Sequence, residues 1–320
     1  MDNPLGVALD SSLNIYVANA GTLDGGFDSV TVYPAGSYAD VAPSAVIGSF
    51  GAPDNTGLNY PSAILVGPGG GIYVANSFGG SSGIGSVTRY AAGSNGNVAP
   101  TATLSGSSTG LYEPVSLAMG SEDYLHVLNA FGGPDGAGSV TIYNVNTGYT
   151  INGNVAPSST ISGNSNGDQT GFNSPSGIAL DSSHNIYVTN QGSLNGGIDS
   201  VTVYANGSSG NVAPMATISG SSTQLNVPNG IAIDSIGNIW VANDGSIVGG
   251  VDSITVYPPG SNGNVAPAMQ LSNGNIEDNA IISGVLTGLS QPAGIAITLF
   301  HEFAVAVGPA LGRRHRIIAR

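Results

Sequence analysis

The stretch PSGIALDSSHNIYVTN, residues 175–190, reads as two short strands joined by a turn. Its apolar segments are rich in Ile, Val, Tyr and Thr, which suit a pleated surface. The DSSHN between them, like DSSLN and DSIGN in the parallel units, supplies Asp or Asn able to bond their own backbone and Gly or Asn able to take a positive φ. The same text recurs at Pro4–Asn19 and Pro228–Asn243. Looser copies open at Pro61 (PSAILVG), Pro114 (PVSLAMG) and Pro292 (PAGIAIT), so the openings are spaced by 57, 53, 61, 53 and 64 residues. A third apolar stretch follows in five units, ending at Tyr33, Tyr90, Tyr143, Tyr204 and Tyr257. A fourth follows a recurring Asn/Asp-Val-Ala-Pro that ends at Pro43, Pro100, Pro157, Pro214 and Pro267.

Four strands per unit, repeated every 50 to 60 residues or so, is the signature of a β-propeller. The chain is therefore expected to be all-β, with six four-stranded antiparallel blades and the last incomplete or aberrant. Within NIYVAN the Ile and Val share one face and the Tyr and Ala the other. Both faces are apolar, which demands a neighbouring blade on each side. Tyr16, Tyr73, Tyr187 and Trp240 hold one equivalent position, with His126 as the fifth member.

Composition narrows the function classes. The 320 residues contain no cysteine, which excludes disulfides, thiolate metal sites and a cysteine nucleophile. Only 8% of residues are charged, against about 25% in ordinary soluble domains. There is no lysine, and Arg89 is the one basic residue before the cluster Arg313, Arg314, Arg316 and Arg320. Ahead of that cluster the net charge is −18. Such a chain is a poor match for phosphate backbones, so no nucleic-acid partner is expected. No apolar run has the roughly 18 residues of a membrane span. The Asn/Ser/Gly/Thr richness suits a secreted or cell-surface bacterial protein, although no signal peptide precedes the first strand.

The motif P-x-G-[VI]-A-[LI]-D followed by N-I-[YW]-V-[AT]-N resembles the repeat of the NHL-type six-bladed propeller superfamily. The resemblance covers nearly all of residues 1–297. This chain departs from it in carrying Asn at the end of each second strand, where that family usually has Asp. Residues 1–297 are read as the propeller. Residues 298–320 are read as an aberrant basic tail: a partial last blade, or the product of a frame shift near Thr298. The outer strands of the sixth blade are expected to be missing, with poor ring closure and an exposed sheet edge.

Propeller sites lie where the loops after the second strands and the loops into the first strands share one face. Asn19, Asn76, Asn129, Asn190 and Asn243 are expected to ring that face, either as a ligand-binding ring or as five copies of a turn-bonding device. Glu113, Asp28, Asp199 and Asp252 are the candidate metal ligands, with Asp24 nearby in the same loops. Calcium or magnesium is the cofactor such oxygen donors would hold. Glu113 with the Asn ring resembles the donor inventory of the gluconolactonase-like propellers. No serine triad or His-Glu-His cluster is present, and His184, His301 and His315 fall in a turn or the tail. The sequence thus points to a non-catalytic binding module for a protein or glycan ligand. The alternatives are a divalent-metal hydrolase or lyase of the gluconolactonase or streptogramin-lyase type, and a structural repeat region of a larger surface protein.

Overall fold

The computed structural model describes residues 3–21, 26–37, 41–51, 53–80, 83–120, 123–133, 136–145, 151–164, 167–248, 252–272, 292–297, 303–307 and 317–319. It is an all-β propeller of six sheets. Blade one comprises β1 (Pro4–Leu9), β2 (Ile15–Ala20), β3 (Asp28–Tyr33) and β4 (Ala45–Gly48). Blade two has β5 (Pro61–Val66), β6 (Ile72–Asn76), β7 (Ser86–Tyr90) and β8 (Ala102–Leu104). Blade three has β9 (Pro114–Met119), β10 (Tyr124–Asn129), β11 (Ser139–Asn144) and β12 (Ser159–Ser162). Blade four has β13 (Pro175–Leu180), β14 (Ile186–Asn190), β15 (Ser200–Tyr204) and β16 (Ala216–Ser219). Blade five has β17 (Pro228–Ile233), β18 (Ile239–Asn243), β19 (Ser253–Tyr257) and β20 (Met269–Ser272). Each is an antiparallel meander with the first strand innermost.

The sixth sheet holds three strands, β21 (Pro292–Ile297), β22 (Phe303–Val307) and β23 (Ile317–Ala319). The sixth blade is incomplete, as expected, with Phe303–Val307 paired as its second strand. Contrary to expectation, a third strand, Ile317–Ala319, is present where the outer strands were expected to be missing. The ring also closes at its centre, because β21 packs against both β17 and β1. A short apolar strand needs only its period-two pattern to join a sheet, and PAGIAI supplies it whatever text follows.

The core lies between blades, not within them. Ile72 and Val74 of β6 face blade one, where they meet Ala8, Tyr16, Val30 and Ile47. Tyr73 and Ala75 of the same strand face blade three and meet Leu117, Leu125 and Val127. The pattern repeats between blades three and four and between four and five. His126 fills its aromatic slot in a buried, neutral form, its pKa lowered to about 4 by burial.

Hydrogen bonds tie the units together. The third-strand tyrosine reaches back to the loop before its own blade: Tyr90 Oη donates to the Thr56 carbonyl at 2.6 Å, and Tyr257 Oη to that of Thr223 at 2.6 Å. Tyr143 and Tyr204 do the same to Thr109 and Thr170. The Asn-Val-Ala-Pro segments clasp the outer strand of the preceding blade. Asn97, Asn154, Asn211 and Asn264 accept amide hydrogens of Asn55, Ser108, Gln169 and Ser222, and adjacent glycines bridge to β4, β8, β12 and β16. In the first turns, Asp10 accepts from the amides of Ser12 and Asn14, the Asn14 side chain and Tyr16 Oη. Asp181 and Asp234 repeat this. The left-handed residue in these turns is Gly237, as expected of a glycine, and Leu13 or His184 rather than the Asn in the other two, where the Asn is bonded to the Asp.

These bonds set a pH window. At Asp10 and Asp234 burial works to raise the pKa, yet the hydrogen bonds together outweigh it and hold both carboxyls below their ordinary 3.8. Their contribution is complete above that value and lost as pH falls through the lower folded-state value. Burial, partly opposed by Thr141 and Thr255, pushes Tyr143 and Tyr257 up to about 12. Their contribution is complete below about pH 10 and lost as pH rises toward 12. Thermal melts by circular dichroism from pH 2 to 12 should show a plateau between these limbs. Asp234→Asn should flatten the acid limb, and Tyr143→Phe the alkaline one.

Candidate functional site

Two backbone irregularities, both at the start of the first strand, build the mouth of the central channel. The first is a bulge. Register slips between Pro4 and Gly6, Pro61 and Ala63, Pro175 and Gly177, Pro228 and Ile231, and at Val115 between the partners of Leu128 and Asn129. Bulges re-aim side chains, and here the extra residues Leu5, Ser62, Val115, Ser176 and Asn229 turn into the channel. Close approach of the inner strands requires glycine at Gly177, where a Cβ would lie 2.5 Å from the Asn229 carbonyl oxygen.

The second irregularity is the residue before each proline. Asn3, Tyr60, Glu113, Ser174 and Val227 all have φ between 49° and 56°, the left-handed region. Proline disfavours such a neighbour, and a β-branched residue there is strained. Backbone bonds on both sides hold it. The carbonyls of Asn3, Tyr60, Glu113, Ser174 and Val227 accept from the residues following the second strands, Ala20, Ser77, Ala130, Gln191 and Asp244. The Tyr60 amide donates to Asp28 Oδ2 at 2.7 Å, and that of Val227 to Asp199 Oδ2 at 2.8 Å. The Glu113 amide donates to the Ile84 carbonyl. A Cβ on Gly85 would lie 2.4 Å from Pro114 Cδ, so an Asp there would collide with the next blade.

The bulged residues, with Tyr60 and Ser174 of the left-handed set, line a cavity of about 420 Å³. Its mouth is formed by Tyr60, Ser77, Phe131, Ser174, Gln191 and Ile247, its wall by the bulged residues and Ser116. The hydroxyl hydrogens are largely committed to the framework. Ser62 Oγ donates to the Pro114 carbonyl at 2.7 Å, Ser77 Oγ to the same carbonyl at 3.1 Å, and Ser176 Oγ to the Pro228 carbonyl at 2.7 Å. A hydroxyl has one hydrogen and two lone pairs, so these serines offer the cavity acceptors rather than donors. Burial, then the charges of Asp28 and Glu113, raise the pKa of Tyr60, which keeps its phenol protonated. Glu113 is half-buried beside it, and its carboxylate makes no hydrogen bond among the described residues.

The expected site residues divide accordingly. Asn19, Asn76, Asn129, Asn190 and Asn243 form a ring, but all five are fully buried inside their blades. Asn190 is representative. Its Nδ2 donates to the Val188 carbonyl and to Ser200 Oγ and Thr202 Oγ1, while Oδ1 accepts the Asn173 amide. Oδ1 of Asn76, Asn129 and Asn243 likewise accepts the amide 17 residues earlier. For Asn19 that residue lies outside the described ones. Asp28 and Asp199 are engaged by the next blade's backbone, Asp252 is buried, and Glu113 is half-buried near Tyr60; none of the four is among the residues lining the cavity. The described residues contain no group of three or more His, Cys, Asp or Glu suited to a metal ion. Asp24, residues 273–291, His301 and His315 lie outside the described residues. Sequence reasoning missed the bulge and the left-handed residue; the repeated proline was their only sign.

No protein-family model matches the sequence, and no curated protein does. Solved structures do. The PQQ-bound aldose sugar dehydrogenase from Streptomyces coelicolor is 16% identical with a TM-score of 0.57, over 100% of this chain and 94% of that one. A glucose dehydrogenase is 12% identical with a TM-score of 0.59, over 100% and 96%. The WD40 propeller domain of Doa1 is 11% identical with a TM-score of 0.52, over 98% and 78%. At these identities the likeness establishes the propeller fold. It also corrects the expectation of a purely non-catalytic module, since propellers matching this chain from end to end are dehydrogenases.

PQQ, the cofactor bound in the first of these dehydrogenases, can be set against the residues present. PQQ is a quinone bearing carboxylates and needs cationic or hydrogen-donating partners. Among the described residues the cavity lining has no Lys, Arg or His to meet the carboxylates, and the hydroxyl hydrogens of Ser62, Ser77 and Ser176 go to framework carbonyls. Arg89 lies at the far end of blade two, bonded to Tyr73 and Thr101. The residues do not fit PQQ.

Asn190→Ala strands several buried partners, each costing roughly 1–3 kcal/mol. We expect a loss of at least ~2 kcal/mol in urea unfolding, with the secondary structure of the folded state unchanged.

Proposed function

We propose that this propeller is an enzyme acting on a neutral, hydroxyl-rich small molecule of the sugar or sugar-lactone type, by hydrolysis or elimination at the channel mouth. The observation that carries this is the commitment of the Ser62, Ser77 and Ser176 hydrogens to framework carbonyls. Three serines with spent hydrogens reward a ligand that brings its own O–H groups and offer nothing to an anion, which brings none. The net charge of −18 ahead of the tail acts in the same direction. A volume of about 420 Å³ falls within the range of small-molecule sites.

Glu113 is the proposed general base. Its carboxylate is not spent on the framework, and the neighbouring Tyr60 is a protonated phenol able to donate to a substrate oxygen. The likeness to sugar dehydrogenases lends weight to a sugar-type substrate. The repeat motif supports placing the chain with the NHL-type propellers, and its composition a secreted or surface setting.

The test is a turnover screen of the intact chain against neutral glycosides, aldonolactones and their uronic-acid counterparts. Glu113→Gln should lower kcat by about 100-fold or more while leaving the melting temperature unchanged. Full activity in that variant, or turnover confined to the acidic substrates, would contradict the proposal.

A further inference from the structure

Six large aromatic side chains on the loops of the mouth face come in three pairs on consecutive blades. Phe27 and Phe50 stand 5.7 Å apart between centroids, Tyr60 and Phe78 5.2 Å, and Tyr112 and Phe131 6.3 Å. Interplanar angles of 74°, 61° and 78° make all three edge-to-face. Five of these rings are unusually open for their type: Phe27 is 49% exposed, Phe50 70%, Phe78 44%, Tyr112 45% and Phe131 49%. Exposed apolar surface of this extent marks a binding face rather than ordinary surface.

The placement is specific. Phe78 and Phe131 stand two residues after Asn76 and Asn129, where blades one, four and five have Gly21, Gly192 and Gly245. Tyr60 is the left-handed residue before Pro61, and Tyr112 lies next to its counterpart Glu113. One member of each inner pair, Tyr60 and Phe131, also lines the cavity, so the aromatic strip is continuous with the proposed site. On blades four and five the corresponding loops expose aliphatic Leu194, Ile198, Ile247 and Val248 instead. The strip therefore leaves the cavity on one side only.

We infer that the aromatic strip over blades one to three is an extended subsite for a neutral oligosaccharide, one of whose residues enters the cavity. This rests on the reading that the cavity takes a sugar. An edge-to-face pair holds one ring upright with a flat face open. The C–H face of a pyranose carries partial positive charge and complements the negative face of an aromatic ring. A cavity of about 420 Å³ admits a sugar unit but not a protein surface, and the acidic chain disfavours charged glycans.

Calorimetric titration of the intact chain with glucose, cellohexaose and maltohexaose separates the claims. We expect at least one hexasaccharide to bind about tenfold or more tightly than glucose. Phe78→Ala with Tyr112→Ala, neither of which lines the cavity, should abolish that gain while leaving glucose binding unchanged. Both side chains are exposed, so folding should survive, and a melt confirms it. Glucose binding without a gain from chain length would overturn the oligosaccharide subsite and leave the proposed cavity intact. No binding of any of the three sugars would overturn both. A stable dimer by sedimentation that the double variant dissolves would also overturn the inference, because a second copy would then occupy the strip.

Discussion

A blade of this protein has two apolar faces and no interior of its own. In β6 Ile72 and Val74 face one neighbour and Tyr73 and Ala75 the other, and the other blades repeat the two-sided pattern with variants such as Leu125 and His126, so burial is complete only when blades stand on both sides. The ring follows from that demand, as does its closure by β21 between β17 and β1 despite the unrelated text after Ile297. Stacking also sets the problem at the centre, where first strands converge. The chain meets it with glycine at Gly6 and Gly177 and with a bulge after each proline.

The mouth inherits its chemistry from this solution. The bulge turns one residue per blade into the channel, and the left-handed residue before proline sets a second on the rim. Because the backbone at both is fixed by hydrogen bonds to the adjoining loops, their side chains are free to differ between blades. Asn3, Tyr60, Glu113, Ser174 and Val227 are structurally equivalent and chemically unlike. A repeat fold thereby gains an asymmetric site: one carboxylate and one phenol together, aromatic rings over blades one to three, and aliphatic side chains opposite.

Period and pattern made the architecture legible in the sequence. Alternation in NIYVAN assigned both faces, and the Asp in DSSxN announced its turn. The site was far less legible. The five Asn side chains read either as a ring of ligands or as a repeated backbone-bonding device; four of them make the framework bond, but to the amide 17 residues earlier rather than to the loop that follows. Asp28 and Asp199 looked like metal ligands because sequence does not reveal that the next blade's amide is already bound to them. Neither a bulge nor a positive φ at Tyr60 or Val227 has a residue-level signature, since the preference of a residue before proline points to extended backbone. The function that composition suggested, a passive binding module, was corrected only by comparison with catalytic propellers.

The central claim is that the channel mouth is built for an uncharged ligand rich in hydroxyl donors. Its most direct measurement is the affinity of the intact chain for a neutral sugar and for the matching uronic acid, each at low and at physiological salt. The account predicts that the neutral sugar binds with no salt dependence and that the acid binds about tenfold or more weakly at low salt, where its charge is least screened. Tighter binding of the acid at low salt would contradict it, for it would mean that the cavity presents positive charge or free donors.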